Sequence, residues 1–236
     1  MPETPKHPRF PLLVRFQRVK NARQLPRKTR VKNILARLGR VYPAAECALT
    51  HENPLQLLVS TILSAQCTDE RVNRVTKTLF QKYRTAKEFA AADPRELEQE
   101  IRPTGFFRNK TKSILGAAKL LVEKFRGEVP RTMEELLELP GVARKTANVV
   151  LGTAFGVASG VVVDTHVDRL SHRLDLTKEK DPKKIEQDLM KLIPKEKWIA
   201  FSHQLIWHGR LVCQARRPRC PDCSLVDLCY SKDKTV

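Results

Sequence analysis

Residues 132–155, TMEELLELPGVARKTANVVLGTAF, decide the fold. Thr132 followed by Glu135 is the pattern of a capping box at a helix start. The helix it opens ends at Leu139, because Pro140-Gly141 cannot continue it. A second helix begins near Ala143, with Ala147, Val150, Leu151 and Ala154 on one face. That is helix, hairpin, helix. Gly141 lets the turn backbone approach another molecule, and the free amides opening the second helix point outward from its positive dipole end. Such a nest suits a DNA phosphate, although L-P-G-V alone is equally the corner of an ordinary helical hairpin.

Two side chains nearby carry chemistry. Lys145, beside Arg144, sits in the first turn of the second helix, where the dipole repels a cation. That field, a cationic neighbour and partial burial favour the neutral amine that a Schiff-base nucleophile requires; a lysine pairing with phosphate is the equal alternative. Asp164, in VVVDTH, reads first as a helix N-cap. A capping carboxylate is fixed in direction, so it could also face the cation that develops at a sugar carbon during glycosyl transfer.

Helix signals extend over most of the chain. Asn53-Pro54, Asp93-Pro94 and Asp181-Pro182 read as caps followed by proline in the first turn, and Thr85 with Glu88 as a second capping box. Apolar residues recur at helical spacing, as in Val31, Ile34, Leu35, Leu38 and in Leu115, Ala118, Leu121, Val122, Phe125. The one β-type run, Val161–Val163, is too short to build a sheet. The expected class is all-α, with about a dozen helices. Thr146–Val163 is an eighteen-residue stretch without charge, but it falls short of the roughly 20 apolar residues a membrane span needs and is diluted by Asn148, Thr153, Ser159 and glycines.

The 236 residues carry 44 Lys or Arg against 26 Asp or Glu, a net charge of +18 that favours a polyanionic partner. Only 9 Gly and 15 Pro, with 41% hydrophobic residues, exclude collagen-like and wholly disordered chains. Residues 1–30 read as a basic, Pro-rich mobile arm without the apolar core of a signal peptide.

Cys213, Cys220, Cys223 and Cys229 form a C-x6-C-x2-C-x5-C array. Four thiolates so close imply a tetrahedral metal or a cluster; one CxxC with wider flanking gaps suits a cubane iron–sulfur cluster better than paired zinc knuckles. Disulfides are the bland alternative, disfavoured because no secretory signal supports an oxidising compartment. Between the first two cysteines, QARRPR presents Arg216, Arg217 and Arg219 outward, where they can grip phosphates.

Together LPGVARKTANVVLGTAF, VVVDTH, LSAQCTD at residues 63–69, HGRLVC and the cysteine array resemble the endonuclease III family of bifunctional DNA glycosylases and abasic-site lyases. The resemblance runs from about Val31 to the C-terminus. It implies a helix-hairpin-helix glycosylase fold: two helical subdomains flanking a DNA-binding groove, one a six-helix barrel over residues 47–157, the other a four-helix subdomain from residues 31–46 and 158–236. It implies a [4Fe-4S] cluster on the four cysteines, and as partner double-stranded DNA holding oxidised pyrimidines or abasic sites. Lys145 matches the nucleophile and Asp164 the catalytic carboxylate. The lesion is flipped out for attack at C1′, and the imine that forms permits β-elimination of the 3′ phosphate. Gln66 fills the vacated stack and Phe106, in the loop Pro103–Arg108, wedges the opposite side. Further DNA contacts fall to Gly141, Val142, Arg144, Thr146 and His166. A bacterial-type cytoplasmic, nucleoid-associated monomer without a membrane is implied as well.

Phe106 stands where the family commonly has leucine and Cys67 where it has alanine, which bears on opposite-base preference and lesion range. Two rivals have distinct signatures. A sister glycosylase for mispaired adenine or thymine would typically lack a lysine at position 145. A non-catalytic DNA-binding redox sensor would use the hairpin as a phosphate grip and show neither strand cleavage nor covalent trapping.

Overall fold

A computed structural model describes residues 25–235. Most of the arm expected over residues 1–30 lies outside them, and its last four residues belong to the fold: α1 spans Arg27–Val41, directly after Pro26. The reason is side-chain bonding. Arg27 Nη2 donates to Leu176 O at 2.8 Å, and Arg30, fully buried, donates to the carbonyls of Leu174 and Asp175. Its guanidinium also lies 4.4 Å from the Tyr230 ring centre. Arg37, on the same buried face as Val31, Ile34, Leu38 and Val41, reaches both carboxylate oxygens of Asp227 at 2.5 and 3.0 Å and Ser224 O at 2.8 Å. Three charges that look like phosphate-seeking cations in the sequence are thus packing groups.

The chain divides into two compact units, one of them Cys47–Ser159. This unit holds seven α-helices: α2 (Pro54–Leu63), α3 (Asp69–Lys82), the short α4 (Ala86–Ala90), α5 (Pro94–Ile101), α6 (Phe107–Phe125), α7 (Met133–Glu138) and α8 (Arg144–Phe155). α2 is buried along nearly its whole length, as a helix apolar on all sides must be, and α3, α6 and α8 pack around it. Leu57, Leu63, Leu79, Phe89, Leu97, Ile101, Leu121 and Leu151 form the core, all with no solvent exposure.

Capping follows the sequence closely. Asn53 accepts from Gln56 N, Asp93 from Arg95 N and Glu96 N, and Thr85 with Glu88 closes a complete capping box. At Thr132 the pattern is half met: the hydroxyl accepts from Glu135 N at 3.3 Å, then donates to Glu135 Oε2 at 2.7 Å. The stripe expected along α6 faces the core except at Val122, with Leu115 and Phe125 packed against it. Ile114, Ala117, Ala118 and Leu121 are buried, while Val122 is exposed, because Gly116 brings the helix against Pro140.

The second unit joins α1 to α9 (Thr165–Arg173), α10 (Pro182–Leu192), α11 (Trp198–Leu211) and an irregular cysteine-bearing tail. Asp181 caps α10 through Lys183 N and Lys184 N. Val161–Val163 is extended without a partner strand; Val162 N donates instead to the buried Ser202 hydroxyl of α11 at 3.0 Å. Among the described residues there is no β-strand, and no helix is long and apolar enough to cross a membrane. The uncharged run from Thr146 is broken at Gly156, which ends α8 in a left-handed conformation with φ of 66°.

Candidate active site

The hairpin is shaped by three residues. Leu139 leaves α7 in an extended conformation, Val142 N donates back to Leu139 O at 3.0 Å, and Gly141 takes φ of 79°. A Cβ at Gly141 would stand 2.5 Å from Ser113 Cβ, so the glycine is required by α6 of the same unit. Leu139 and Val142 turn inward to the core, which leaves Val142 only its backbone for a DNA contact.

Helix α8 opens without a side-chain cap, since its N-cap residue is Ala143. Its first amides therefore lack the carboxylate or hydroxyl that closes α3, α5 and α10, and an anion can take that place. Lys145 is exposed in this first turn, not partly buried as the sequence suggested, because Ala147, Asn148, Val150 and Leu151 form the inward face. Arg144 and Thr146 beside it are half-buried.

Asp164 caps α9 as expected. One oxygen, Oδ1, accepts from His166 N at 2.9 Å and Val167 N at 2.8 Å. His166 is half-buried, with Nδ1 3.1 Å from Arg169 Nη2, and Gly209 of α11 makes room for it: a Cβ there would lie 2.9 Å from His166 Nδ1. Burial lowers the His166 pKa; the Asp164 carboxylate opposes this, while Arg169 and Arg210 add to it. Arg169 continues to Gly209 O at 3.1 Å and Cys213 O at 3.0 Å, tying the cap of α9 to the end of α11. Lys145 belongs to the unit Cys47–Ser159 and Asp164 to the other.

Gln66 and Phe106 are both exposed and both left-handed, with φ of 53° and 49°. Phe106 is 62% exposed, whereas the adjacent Phe107 packs against the core.

All six cysteines are free thiols, and Cys213, Cys220, Cys223 and Cys229 line one cavity. Among the described residues no three His, Cys, Asp or Glu side chains gather for a single metal ion. Four thiols lining one cavity are the kind of donor set that an iron–sulfur cluster takes, and further polar groups lie around the sulfurs. Arg173 Nη1 donates to Cys213 Sγ at 3.2 Å, Leu225 N donates to Cys223 Sγ at 3.4 Å, and His208 Nε2 lies 3.3 Å from Cys223 Sγ. The Tyr42 hydroxyl, 2.8 Å from His208 Nδ1, orients that ring. Burial and the neighbouring cysteines push the Cys223 thiol up to about 12, so it becomes a thiolate only beside a compensating positive charge. Arg216, Arg217 and Arg219 are all exposed on the loop as expected, and Arg219 also meets Asp222, with Nε and Nη2 3.0 and 2.7 Å from Asp222 Oδ2.

A family described as "HhH-GPD superfamily base excision DNA repair protein" matches residues 59–195. Endonuclease III of Synechocystis sp. is 60% identical over 205 residues, covering 87% of this chain and 94% of that protein. The chain belongs to the endonuclease III family. It is accordingly a base-excision repair DNA glycosylase and abasic-site lyase. Among solved structures, a non-covalent endonuclease III–DNA complex is similar with a TM-score of 0.83 at 47% identity, covering 87% of this chain and 96% of that one. A trapped endonuclease III–DNA covalent intermediate is similar with a TM-score of 0.83 at 46% identity, covering 87% and 97%.

Arg173, His208 and Tyr42 escaped the sequence reading. The signals were slight: a histidine opening HGRLVC inside an apolar helix, and an arginine at the buried end of α9.

Proposed function

We propose that this endonuclease III excises oxidised or ring-saturated pyrimidines from duplex DNA, acting as a monomer, and then cleaves 3′ to the abasic site. The observation that carries the reading is Lys145, exposed in the uncapped first turn of α8 directly after the hairpin. The backbone amides there hold a phosphate of the strand, and Lys145 Nζ attacks C1′ of the extruded nucleotide. The glycosidic bond breaks, the base leaves with the bonding electrons, and the sugar ring opens to an imine on Nζ. Loss of a C2′ proton then expels the 3′ phosphate by β-elimination, and water hydrolyses the imine to free the lysine.

Asp164 supplies negative charge toward the cation that develops at C1′. Both of its capping bonds fall on Oδ1, so the cap fixes the carboxylate while Oδ2 takes no part in it. Gln66 and Phe106 occupy the space the base leaves, Arg144, Thr146, Gly141 and Val142 contact the backbone through side chains or amides, and His166 lies beside the carboxylate. Cys213, Cys220, Cys223 and Cys229 would hold a [4Fe-4S] cluster, whose service here is to brace the loop that presents Arg216, Arg217 and Arg219 to phosphates.

Incubation of the protein with duplex DNA containing thymine glycol, in the presence of borohydride, tests the reading. A covalent protein–DNA adduct is expected, and strand cleavage without borohydride. Absence of both from folded protein refutes it, and preferential release of undamaged bases from mispairs would favour the mismatch rival.

A further inference from the structure

Lys110 lies in the second turn of α6, on the same face as the core residues Ile114, Ala117, Ala118 and Leu121, and is 5% exposed. No other lysine among the described residues is buried. The position is costly twice over, since the helix dipole disfavours a cation near its N-terminus and burial strips the ammonium of water. Nζ is compensated by two backbone carbonyls, Leu63 O and Thr104 O, each at 2.8 Å. Leu63 is the last residue of α2, so its carbonyl is among the acceptors that a helix end leaves open, at the negative pole of that helix. Thr104 is itself buried and closes the 3-10 turn Arg102–Thr104. Burial lowers the Lys110 pKa and the Cys67 thiol opposes this; in either protonation state Nζ has the two N–H donors that the two carbonyls need.

Each of the two carbonyls stands just before an exposed, left-handed residue; the third such residue of this unit, Arg126, ends α6. Gln66 comes three residues after Leu63, and Phe106 two residues after Thr104. A non-glycine residue with positive φ is held there by its surroundings. Lys110 is the buried group that touches the root of both loops.

We propose that Lys110 is a positioning residue that locks the Gln66 loop and the Phe106 loop into one rigid pair, so that both side chains enter the duplex in a fixed mutual geometry. The inference rests on the roles proposed above for Gln66 and Phe106. Lys110 itself touches no DNA. Its effect is preorganisation: two loops held by one ammonium lose less freedom on binding than two that move independently.

Lys110→Met keeps the length of the side chain and removes the ammonium. The test compares single-turnover excision of thymine glycol in duplex DNA with strand cleavage at a preformed abasic site in single-stranded DNA, where no stack has to be filled. The duplex rate should fall by roughly tenfold to a hundredfold, while the single-strand rate stays within about threefold. Lys110→Arg keeps the charge in a wider fork, and should show a smaller fall in the same ratio. If Lys110→Met does not fold, the ratio in Lys110→Arg decides alone. Equal losses on both substrates, or an unchanged ratio, overturn the proposal. Unchanged duplex excision by Gln66→Ala and by Phe106→Ala would instead refute the roles on which it rests.

Discussion

Residues 132–155 hold their shape through bonds between near neighbours, whereas residues 213–229 hang on side chains from far along the chain. In the hairpin, Thr132 meets Glu135 and Val142 meets Leu139. In the cysteine segment, Ser224 O is held by Arg37, 187 residues away, and Gln214 O by Arg173, 41 residues away. Lys234 Nζ adds a bond to Val226 O at 2.9 Å. The first region carries its chemistry on an exposed side chain that the fold does not need. In the second, the sulfurs are part of what the surrounding side chains position. Function and stability should therefore separate in one and travel together in the other.

The strongest way to break this comparison is at Lys145. Lys145→Gln should abolish borohydride trapping and lower β-elimination by at least about a thousandfold, because the covalent step is lost. Affinity for undamaged duplex should change by less than about threefold, since at most one phosphate contact is affected. The melting temperature should stay level or rise slightly, as a cation leaves the positive end of α8. Residual trapping would unseat the nucleophile; a large drop in melting temperature would show that the hairpin depends on the residue after all.

Arg37→Met probes the other region from a distance. It leaves the Asp227 carboxylate, only 10% exposed, without its guanidinium, a loss of about 3–5 kcal/mol. For a chain of this size that lowers the melting temperature by about 10 °C. Loss of the cysteine segment should come with it, read as faster reaction of Cys223 and Cys229 with a thiol reagent. Unchanged thiol reactivity would mean that the segment holds its shape without α1.

These contrasts explain what could be read in the sequence. Asn53, Asp93 and Asp181 announce their helices because a cap acts over three residues, and the Pro140-Gly141 turn is visible for the same reason. Glycine at 141 was legible as a requirement, but its cause, Ser113 of α6, is a tertiary contact. Arg30, Arg37 and Lys110 were read as surface cations or passed over, since nothing local marks a charge that ends on a carbonyl elsewhere. For Lys110 the one hint was its place on the stripe of Ile114, Ala118 and Leu121. The four cysteines were legible as a group by spacing; the arginine and histidine that bond to their sulfurs were not.

Asp164 stands where the two regimes meet, because its local role as a cap and its proposed role toward the sugar use the same carboxylate. Substitutions can separate them. Asparagine caps a helix about as well as aspartate, so Asp164→Asn should cost less than about 1 kcal/mol, chiefly the lost charge at the dipole end. Alanine cannot accept the bonds from His166 N and Val167 N, and Asp164→Ala should cost about 0.5–2 kcal/mol. If the carboxylate acts electrostatically in base excision, both variants lose roughly a hundredfold or more in single-turnover rate on a duplex lesion, although only one loses the cap. If the cap alone matters, activity follows stability: Asp164→Asn stays close to wild type and Asp164→Ala declines with its melting temperature. An active, stable Asp164→Asn would return the residue to the hairpin's class, where local structure is complete without chemistry, and would leave Lys145 as the sole reacting group assigned here.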